Sequence, residues 1–259
     1  MPDPMLATFA FALGAVVGSF LNVVILRLPA EISIVFPASR CPACQTPIRW
    51  HDNLPILGFL MLRGRCRHCR ERISWQYPLV EAAMGLLTVA LLRHFGLSLA
   101  LPIYFLFCAA LLAVIFIDLR HQIIPDVISL PGILIGLAAS FINPLVSWQD
   151  AALGVLAGGG SFYLIALGYY LITKQEGMGG GDIKLLAMIG AFLGWRAVPF
   201  VVFGSALMGT VVGVGAMLKQ GKGGKTVIPY GPFLAVAAMG YLFFEHEILL
   251  AFSRYVMGG

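Results

Sequence analysis

The chain has 259 residues, of which 59% are hydrophobic and only 11% are charged, with a mean hydropathy of +0.91. A soluble domain carries about 25% charged residues, so the composition excludes an ordinary water-soluble protein and indicates a multi-span membrane protein. The net charge of +5 is better explained by Lys and Arg anchoring loops on one side of a membrane than by nucleic-acid binding. Long unbroken apolar runs favour helices over barrel strands, which would alternate.

The first predicted span covers residues 4–26. Asp3 is the only charged residue before Arg27, so the N-terminus lacks the basic region of a cleavable signal and is expected to remain as a span. The following segment, residues 27–75, is polar, rich in Arg and contains all the cysteines except Cys108. It predicts a small extramembrane domain between the first two spans.

Further apolar segments follow this domain, and one of them, residues 185–195, is short enough to be re-entrant. The others cover residues 77–92, 97–117, 127–148, 151–173, 197–218 and 227–244. At ~20 residues per span, the sequence predicts an all-α polytopic membrane protein with about eight transmembrane helices. We expect the domains to be residues 1–28 (transmembrane helix 1), 29–76 (a cytoplasmic zinc-ribbon-like domain) and 77–259 (a membrane peptidase domain).

The distribution of basic residues tests this topology. If the cysteine-rich segment is cytoplasmic and the spans alternate, all 17 Lys and Arg residues lie on the cytoplasmic side except Arg93, Arg196 and Arg254. Cytoplasmic loops carry this excess of Lys and Arg. The arrangement places Asp118 and Asp182 at span ends on the same cytoplasmic face.

Four cysteines form two CxxC pairs, Cys41 with Cys44 and Cys66 with Cys69. The spacing fits a Cys₄ zinc site. Disulfides would be reduced in the cytoplasm, and a domain this small needs a cross-link or a metal ion to be stable. Structural zinc is therefore predicted, with a redox or disulfide role as the alternative. Cys108, within an apolar span, is interpreted as a packing residue.

Asp118 ends an apolar span, where a carboxylate is costly. It is either an interfacial residue paired with Arg120 or His121, or a functional group. Asp126, which follows Pro125, is interpreted as a helix-start residue.

Asp182 follows the glycine-rich loop that ends in Gly179, Gly180 and Gly181. Glycines allow positive φ angles and close approach of another chain. The loop lacks the P-loop pattern of a phosphate site, and Asp182 is either a helix cap or one member of a pair with Asp118.

Two adjacent carboxylates can share one proton, so that one activates water while the other protonates a carbonyl oxygen. Gly179, Gly180 and Gly181 would then leave room for an extended peptide substrate. Intramembrane acids also serve proton-coupled transporters, and Glu81 is a third such acid. Glu81 is either a structural interfacial residue or binds a cationic group. A membrane-anchored zinc-ribbon adaptor is a further alternative.

The chain closely resembles the bacterial type IV prepilin peptidases, which are bifunctional leader peptidase/N-methyltransferases of pilus and type II secretion systems and GxGD membrane aspartyl proteases. Matching motifs occur in the same order along nearly the whole chain. They comprise residues 18–25, 41–44, 53–55, 62–69, 77–81, Asp118 with 124–126, 177–182 and 229–233. The stretch Leu57-Gly58-Phe59 departs from the pattern, because relatives commonly carry a serine before the aromatic residue.

The resemblance implies that Asp118 and Asp182 are the catalytic pair. It implies cleavage of prepilins and pseudopilins after a glycine at the cytoplasmic face of the bacterial inner membrane. The new N-terminal residue would then be methylated with S-adenosyl-L-methionine, because the four-cysteine loop belongs to the bifunctional members. A Rossmann glycine motif is not visible in the sequence, so the methyl-donor site is not located; Glu81 is a weak candidate for it.

Overall fold

The computed structural model describes residues 3–175, 177–220 and 228–257, and these residues form an all-helical protein. A short 3₁₀ turn at Trp50–Asn53 precedes the second helix. The helices are α1 (Pro4–Arg27), α2 (Leu57–Met61), α3 (Gln76–Phe95), α4 (Ala100–His121), α5 (Asp126–Ala139), α6 (Trp148–Thr173), α7 (Gly180–Leu193), α8 (Ala197–Gln220) and α9 (Gly231–Met257).

Six of these helices, α1, α3, α4, α6, α8 and α9, are long and apolar enough to cross a membrane. The predicted all-α membrane fold is confirmed in this form. α5 and α7 have 14 residues each, or about 21 Å at 1.5 Å per residue. Both are shorter than the ~30 Å hydrocarbon core of a bilayer.

The structure changes the bounds of three predicted elements by more than a few residues. The last helix, predicted over residues 227–244, continues to Met257 beyond non-helical backbone angles at Phe244. The helix predicted over residues 127–148 ends at Ala139, because Asn143 and Pro144 interrupt the helical backbone before Ser147 caps α6. The short helix predicted over residues 185–195 is α7, which begins at Gly180. Residues 221–227 lie outside the described residues. They include most of the predicted basic loop (219–225) and the predicted start of the last span at residue 227.

The chain divides into two compact units, Met1–Ala113 and Val114–Gly259. In the first unit, α1 and α3 pack antiparallel through small residues. An added Cβ at Gly14 would meet Thr88 and the backbone of Met84, and one at Gly18 would lie 2.7 Å from Cα of Glu81. These glycines let the two backbones approach closely.

In the second unit, α7 is enclosed by α5 and α6, and most of its residues are buried. α5 runs parallel to α7: Lys184 pairs with Asp126 near the start of both helices, and further along Gly136 packs against Ala191. α6 runs antiparallel to α7 and crosses it where Gly154 and Gly190 meet backbone to backbone. α7, whose first turn carries Asp182, is thereby fixed between two neighbours.

Candidate active site and metal centre

Asp118 lies near the C-terminal end of α4, and only 4% of the residue is exposed. Its Oδ2 atom accepts a 2.9 Å hydrogen bond from the backbone N–H of Gly231, the first residue of α9. Within the described residues, no ion pair joins Asp118 to Arg120 or His121, both of which are exposed. Asp118 is therefore not an interfacial residue in an ion pair. It is a buried carboxylate that is hydrogen-bonded to the N-terminus of a helix.

Asp182 lies in the first turn of α7, where the helix dipole favours a negative charge. It does not cap the helix, because Gly179 occupies the cap position and the backbone N–H of Asp182 donates to the Gly179 carbonyl at 3.1 Å. The carboxylates of Asp182 and Asp118 are close enough to interact electrostatically. The structure therefore brings together the two acids that were predicted to form a pair.

Ile124 fills the space beside this pair and contacts both glycine-bearing segments. An added Cβ at Gly181 would lie 2.9 Å from the Cβ of Ile124, and one at Gly231 would lie 3.1 Å from its Cδ1. Gly180 has open space at its Cβ position, and Gly179 has only the Asp182 carboxylate within 4 Å. Of the three loop glycines, Gly181 is the tightly packed one, and the other two leave room next to the acids.

Two further polar contacts border the acids. The hydroxyl of Tyr230, the residue before Gly231, lies 2.7 Å from that of Ser205 on α8. Asp126 lies in the first turn of α5, as predicted, and both of its carboxylate oxygens accept hydrogen bonds from Nζ of Lys184 at 2.7 Å. This ion pair connects the start of α5 to the start of α7, next to Asp182.

The four predicted zinc ligands, Cys41, Cys44, Cys66 and Cys69, form one cluster in which all sulfur atoms lie within 4.8 Å of one another. The Sγ atoms of Cys41 and Cys69 are 3.8 Å apart, and those of Cys44 and Cys66 are 4.0 Å apart. Four sulfur ligands at about 2.3 Å from a tetrahedral zinc ion are separated by about 3.8 Å. The cluster therefore fits a Cys₄ metal ion.

The two CxxC segments have the same backbone structure. In the first, Cys41 N–H donates to Thr46, and Gln45 N–H donates to the Cys41 carbonyl; Gln45 has a φ of 56°. In the second, Cys66 N–H donates to Glu71, and Arg70, with a φ of 61°, donates to the Cys66 carbonyl. His68 is exposed between the ligands and is not part of the cluster.

A bidentate ion pair attaches the second CxxC segment to the 3₁₀ turn. Nε and Nη2 of Arg67 donate to the two carboxylate oxygens of Asp52 at 2.8 and 2.6 Å. This guanidinium lowers the pKa of the Asp52 carboxyl below its usual range. The Asp52 side chain is 6% exposed, against 50% for Arg67, so the pair holds the turn against the cysteine cluster.

Glu81 is buried in α3, with 6% of the residue exposed. Its Oε2 accepts a 2.7 Å hydrogen bond from the backbone N–H of Ile56, and its Cα packs against Gly18 of α1. Asn22 lies one turn further along α1 and donates to the Tyr77 carbonyl at 3.1 Å. Glu81 is thus part of a polar layer between α1 and α3, and its role at a methyl-donor site stays a prediction. Cys108 is buried in α4, as expected for a packing residue.

Sequence reasoning did not assign roles to Gly231, Tyr230, Ser205 or Ile124. Residues 229–233 were recognised only as a matching motif. Pro229 and Gly231 directly precede an apolar run, and this pattern is typical of the start of a helix. The hydrogen-bond partner itself is a backbone N–H, which leaves no trace in the amino-acid sequence.

Comparison with known proteins places both units in described families. Residues 12–95 match the Bacterial Peptidase A24 N-terminal domain, and residues 105–214 match the Type IV leader peptidase family. No solved structure matches the chain.

Several relatives carry the name prepilin leader peptidase/N-methyltransferase. The one from Myxococcus xanthus is 43% identical, and the aligned region covers 85% of this chain and 66% of that protein. The one from Burkholderia pseudomallei strain 1026b is 39% identical, over 94% of this chain and 87% of the relative. The Pseudomonas aeruginosa relative is 36% identical, over 94% of this chain and 92% of the relative.

Proposed function

Since the chain belongs to the type IV leader peptidase family, we propose that it removes the leader peptide from type IV prepilins and type II secretion pseudopilins and then N-methylates the new N-terminal residue. The observation that carries the peptidase half is the pairing of buried Asp118 with Asp182 across two helices. The methyltransferase half rests on the names of the relatives and on the four-cysteine segment.

Peptide hydrolysis needs one ionised and one protonated carboxyl group. The ionised member takes a proton from water, which attacks the scissile carbonyl carbon, while the protonated member donates to the carbonyl oxygen. Collapse of the tetrahedral intermediate breaks the C–N bond, and the leaving amine takes up a proton. Asp118 and Asp182 supply these two groups without a metal or a covalent intermediate.

The glycines before Asp182 support a peptide substrate. An extended peptide must lie against backbone beside the acids, and Gly180 has open space where a side chain would stand. We assign the substrate-binding loop to Gly179, Gly180 and Gly181. Gly181 positions the loop against Ile124, and the other two provide the open surface.

For the second reaction we propose S-adenosyl-L-methionine as methyl donor. The methyl group passes from the sulfonium to the free α-amine of the newly exposed residue, S-adenosylhomocysteine leaves, and the amine loses a proton. This order is required chemically, because the amine exists only after the leader has been cleaved.

We propose that Cys41, Cys44, Cys66 and Cys69 hold a structural zinc ion. Zinc would supply the folding energy for a segment that has few buried apolar residues of its own. The charge distribution supports a bacterial inner-membrane protein with this segment and both acids on the cytoplasmic side. Cleavage would then occur at the cytoplasmic edge of the membrane.

The experiment is expression with a prepilin in membranes, followed by mass spectrometry of the pilin, which reports the cut site and the methyl group together. Asp118→Asn and Asp182→Asn should each lower cleavage by about 10²- to 10⁴-fold, the range for a general acid–base group. Asp126→Asn changes a neighbouring, exposed carboxylate and should leave cleavage within a few-fold of wild type. Normal cleavage by either of the first two variants would refute the catalytic pair and favour a transport role for these acids.

A further inference from the structure

We infer that α2 and the residues around it form an interfacial membrane anchor: the apolar face of α2 lies in the lipid bilayer that surrounds α1 and α3. The cysteine cluster is thereby seated in the lipid headgroup layer rather than suspended in the aqueous phase. The proposed occupant of this face is phospholipid.

The sequence around α2 has the composition of a membrane-inserted segment. Residues 54–62 form an uninterrupted apolar run between the polar turn at Trp50–Asn53 and the charged residue Arg63. The run is too short to span a bilayer, and short apolar runs of this kind occur in interfacial and re-entrant segments. It also contains Pro55 and Gly58, so it cannot form a long helix.

The depth of α2 is fixed by one hydrogen bond. The backbone N–H of Ile56, the residue before α2, donates to Oε2 of Glu81 at 2.7 Å. Glu81 lies inside α3 and is level with Gly18 of α1. α1 rises about 13 Å between Gly18 and Arg27, its first charged residue, at 1.5 Å per residue. Ile56 is therefore level with the apolar part of two membrane-spanning helices.

Glu81 supplies the hydrogen-bond acceptor that non-helical backbone needs at this depth in the membrane. Unpaired N–H groups are costly in lipid, so non-helical backbone there needs a partner within the protein. Ile56 has a φ of 61°, outside the helical region, and its N–H is the group that Glu81 accepts. The carboxylate thus satisfies the donor that the start of α2 exposes.

The other end of α2 lies at the membrane surface. Phe59 packs against Trp75 with a ring-centroid distance of 4.8 Å, and Trp75 directly precedes α3. Tryptophan is enriched at this level of membrane proteins, where its ring meets the headgroups. Beyond α2, the chain continues with exposed Arg63, Arg65 and Arg70, whose charges complement anionic phospholipids.

The face in question consists of Leu57, Leu60 and Met61, which share one side of α2 and are 58%, 59% and 63% exposed. Three side chains are far below the ~800 Å² per partner that a stable protein interface buries. Lipid requires no such area, because α1 and α3 already hold the segment in place. Depth, size and charge together favour the bilayer over a second copy of the chain or a peptide.

The test uses the full-length protein with the photoreactive residue benzoylphenylalanine in place of Leu60, reconstituted into vesicles of phosphatidylethanolamine and phosphatidylglycerol. After irradiation, intact mass spectrometry should find adducts that are heavier by one phospholipid. The same residue in place of Phe9, 67% exposed on α1, is the positive control. In place of Glu71, exposed beside the cysteine cluster, it should give much less lipid adduct than at position 60, because the headgroup layer holds few acyl C–H bonds.

The inference is overturned if position 60 behaves like position 71, or if its adducts contain polypeptide instead of lipid. Met61 offers a second labelling site on the same face if the protein labelled at 60 does not fold. Glu81→Ala should reduce the lipid adduct at position 60, because α2 then loses the bond that sets its depth. None of these measurements depends on peptidase activity, so their failure leaves the proposed function standing.

Discussion

The backbone N–H of Gly231 and the carboxylate of Asp118 are joined by a 2.9 Å hydrogen bond between residues 113 positions apart. α9 thus begins at the proposed catalytic pair. The other member, Asp182, lies in the first turn of α7, so the N-termini of two helices converge on the pair. Because N-terminal N–H groups stabilise negative charge, this arrangement suits a site that must keep one carboxylate ionised.

Gly231→Ala should impair cleavage without unfolding the protein. The added Cβ would lie 2.7 Å from Oδ2 of Asp118 and 3.1 Å from Cδ1 of Ile124, so the carboxylate must move. Small displacements of catalytic groups cost up to about 100-fold in rate, and we expect a loss of about 10- to 100-fold in prepilin cleavage. Gly240→Ala, on the same helix with open space at the Cβ position, is the matched control. Equal activity of the two variants would mean that the Gly231 contact does not position Asp118.

Metal analysis of the purified protein should find about one zinc ion per chain, as expected for a single Cys₄ site. Cys44→Ser should abolish stoichiometric zinc, because three sulfur ligands bind more weakly than four, whereas Cys108→Ala should retain it. Cys108 is buried in α4, outside the cluster. Zinc loss from both variants would indicate general unfolding, and full zinc retention by Cys44→Ser would exclude the proposed site.

The zinc-depleted protein also tests whether the two reactions are separable. The proposed catalytic acids lie in the second unit and the cysteine cluster lies in the first. We expect Cys44→Ser to retain prepilin cleavage better than methylation, measured together by mass spectrometry of the pilin. Equal loss of both products would show that the cluster supports the whole enzyme.

Gly190→Val should destabilise the second unit. A Cβ at Gly190 would collide with the backbone of Gly154 on α6, and backbone cannot give way as a flexible side chain can. Overpacking of this kind costs about 1–3 kcal/mol, which should appear as a lower temperature of half-inactivation in membranes. Gly160→Ala, on α6 with open space around it, should leave that temperature unchanged. An unaltered Gly190→Val protein would contradict the close crossing of α6 and α7.

Exchange of charge between Lys184 and Asp126 tests the parallel arrangement of α5 and α7. The pair is exposed by 37% and 54%, and exposed ion pairs contribute about 0–1 kcal/mol. Lys184→Asp alone places two acids together beside Asp182 and should lower both thermal stability and cleavage. Adding Asp126→Lys should recover part of the lost stability and cleavage. If the double variant instead shows the sum of the two single effects, the two side chains do not interact.

The amino-acid sequence predicts the features that depend on local pattern. Apolar runs of sufficient length predicted the six long helices, and the CxxC spacing predicted the cysteine cluster, because ligand geometry restricts the spacing. The catalytic pairing of Asp118 with Asp182 stays a prediction. It was reached from the distribution of basic residues, which predicts both acids at one membrane face, and from the family resemblance.

Other features could not be predicted because they depend on tertiary contacts. The polar turn before α6 shortens α5 to 14 residues, although the apolar composition of residues 127–148 continues past Ala139. Glu81 and Ile56 meet across 25 residues, and one partner is a backbone N–H that any non-proline residue would supply. The same holds for Gly231 and Asp118, so only the fold reveals these contacts.

The likeness of the two CxxC segments bears on how this module can evolve. Each segment obtains its shape from main-chain hydrogen bonds and one left-handed residue after the second cysteine, so Pro42, Ala43 and His68 contribute little to the fold. Arg67 is the exception, because it binds Asp52. Homologous modules can therefore diverge almost freely between their cysteines, and sequence drift there carries little information about whether the metal centre is retained.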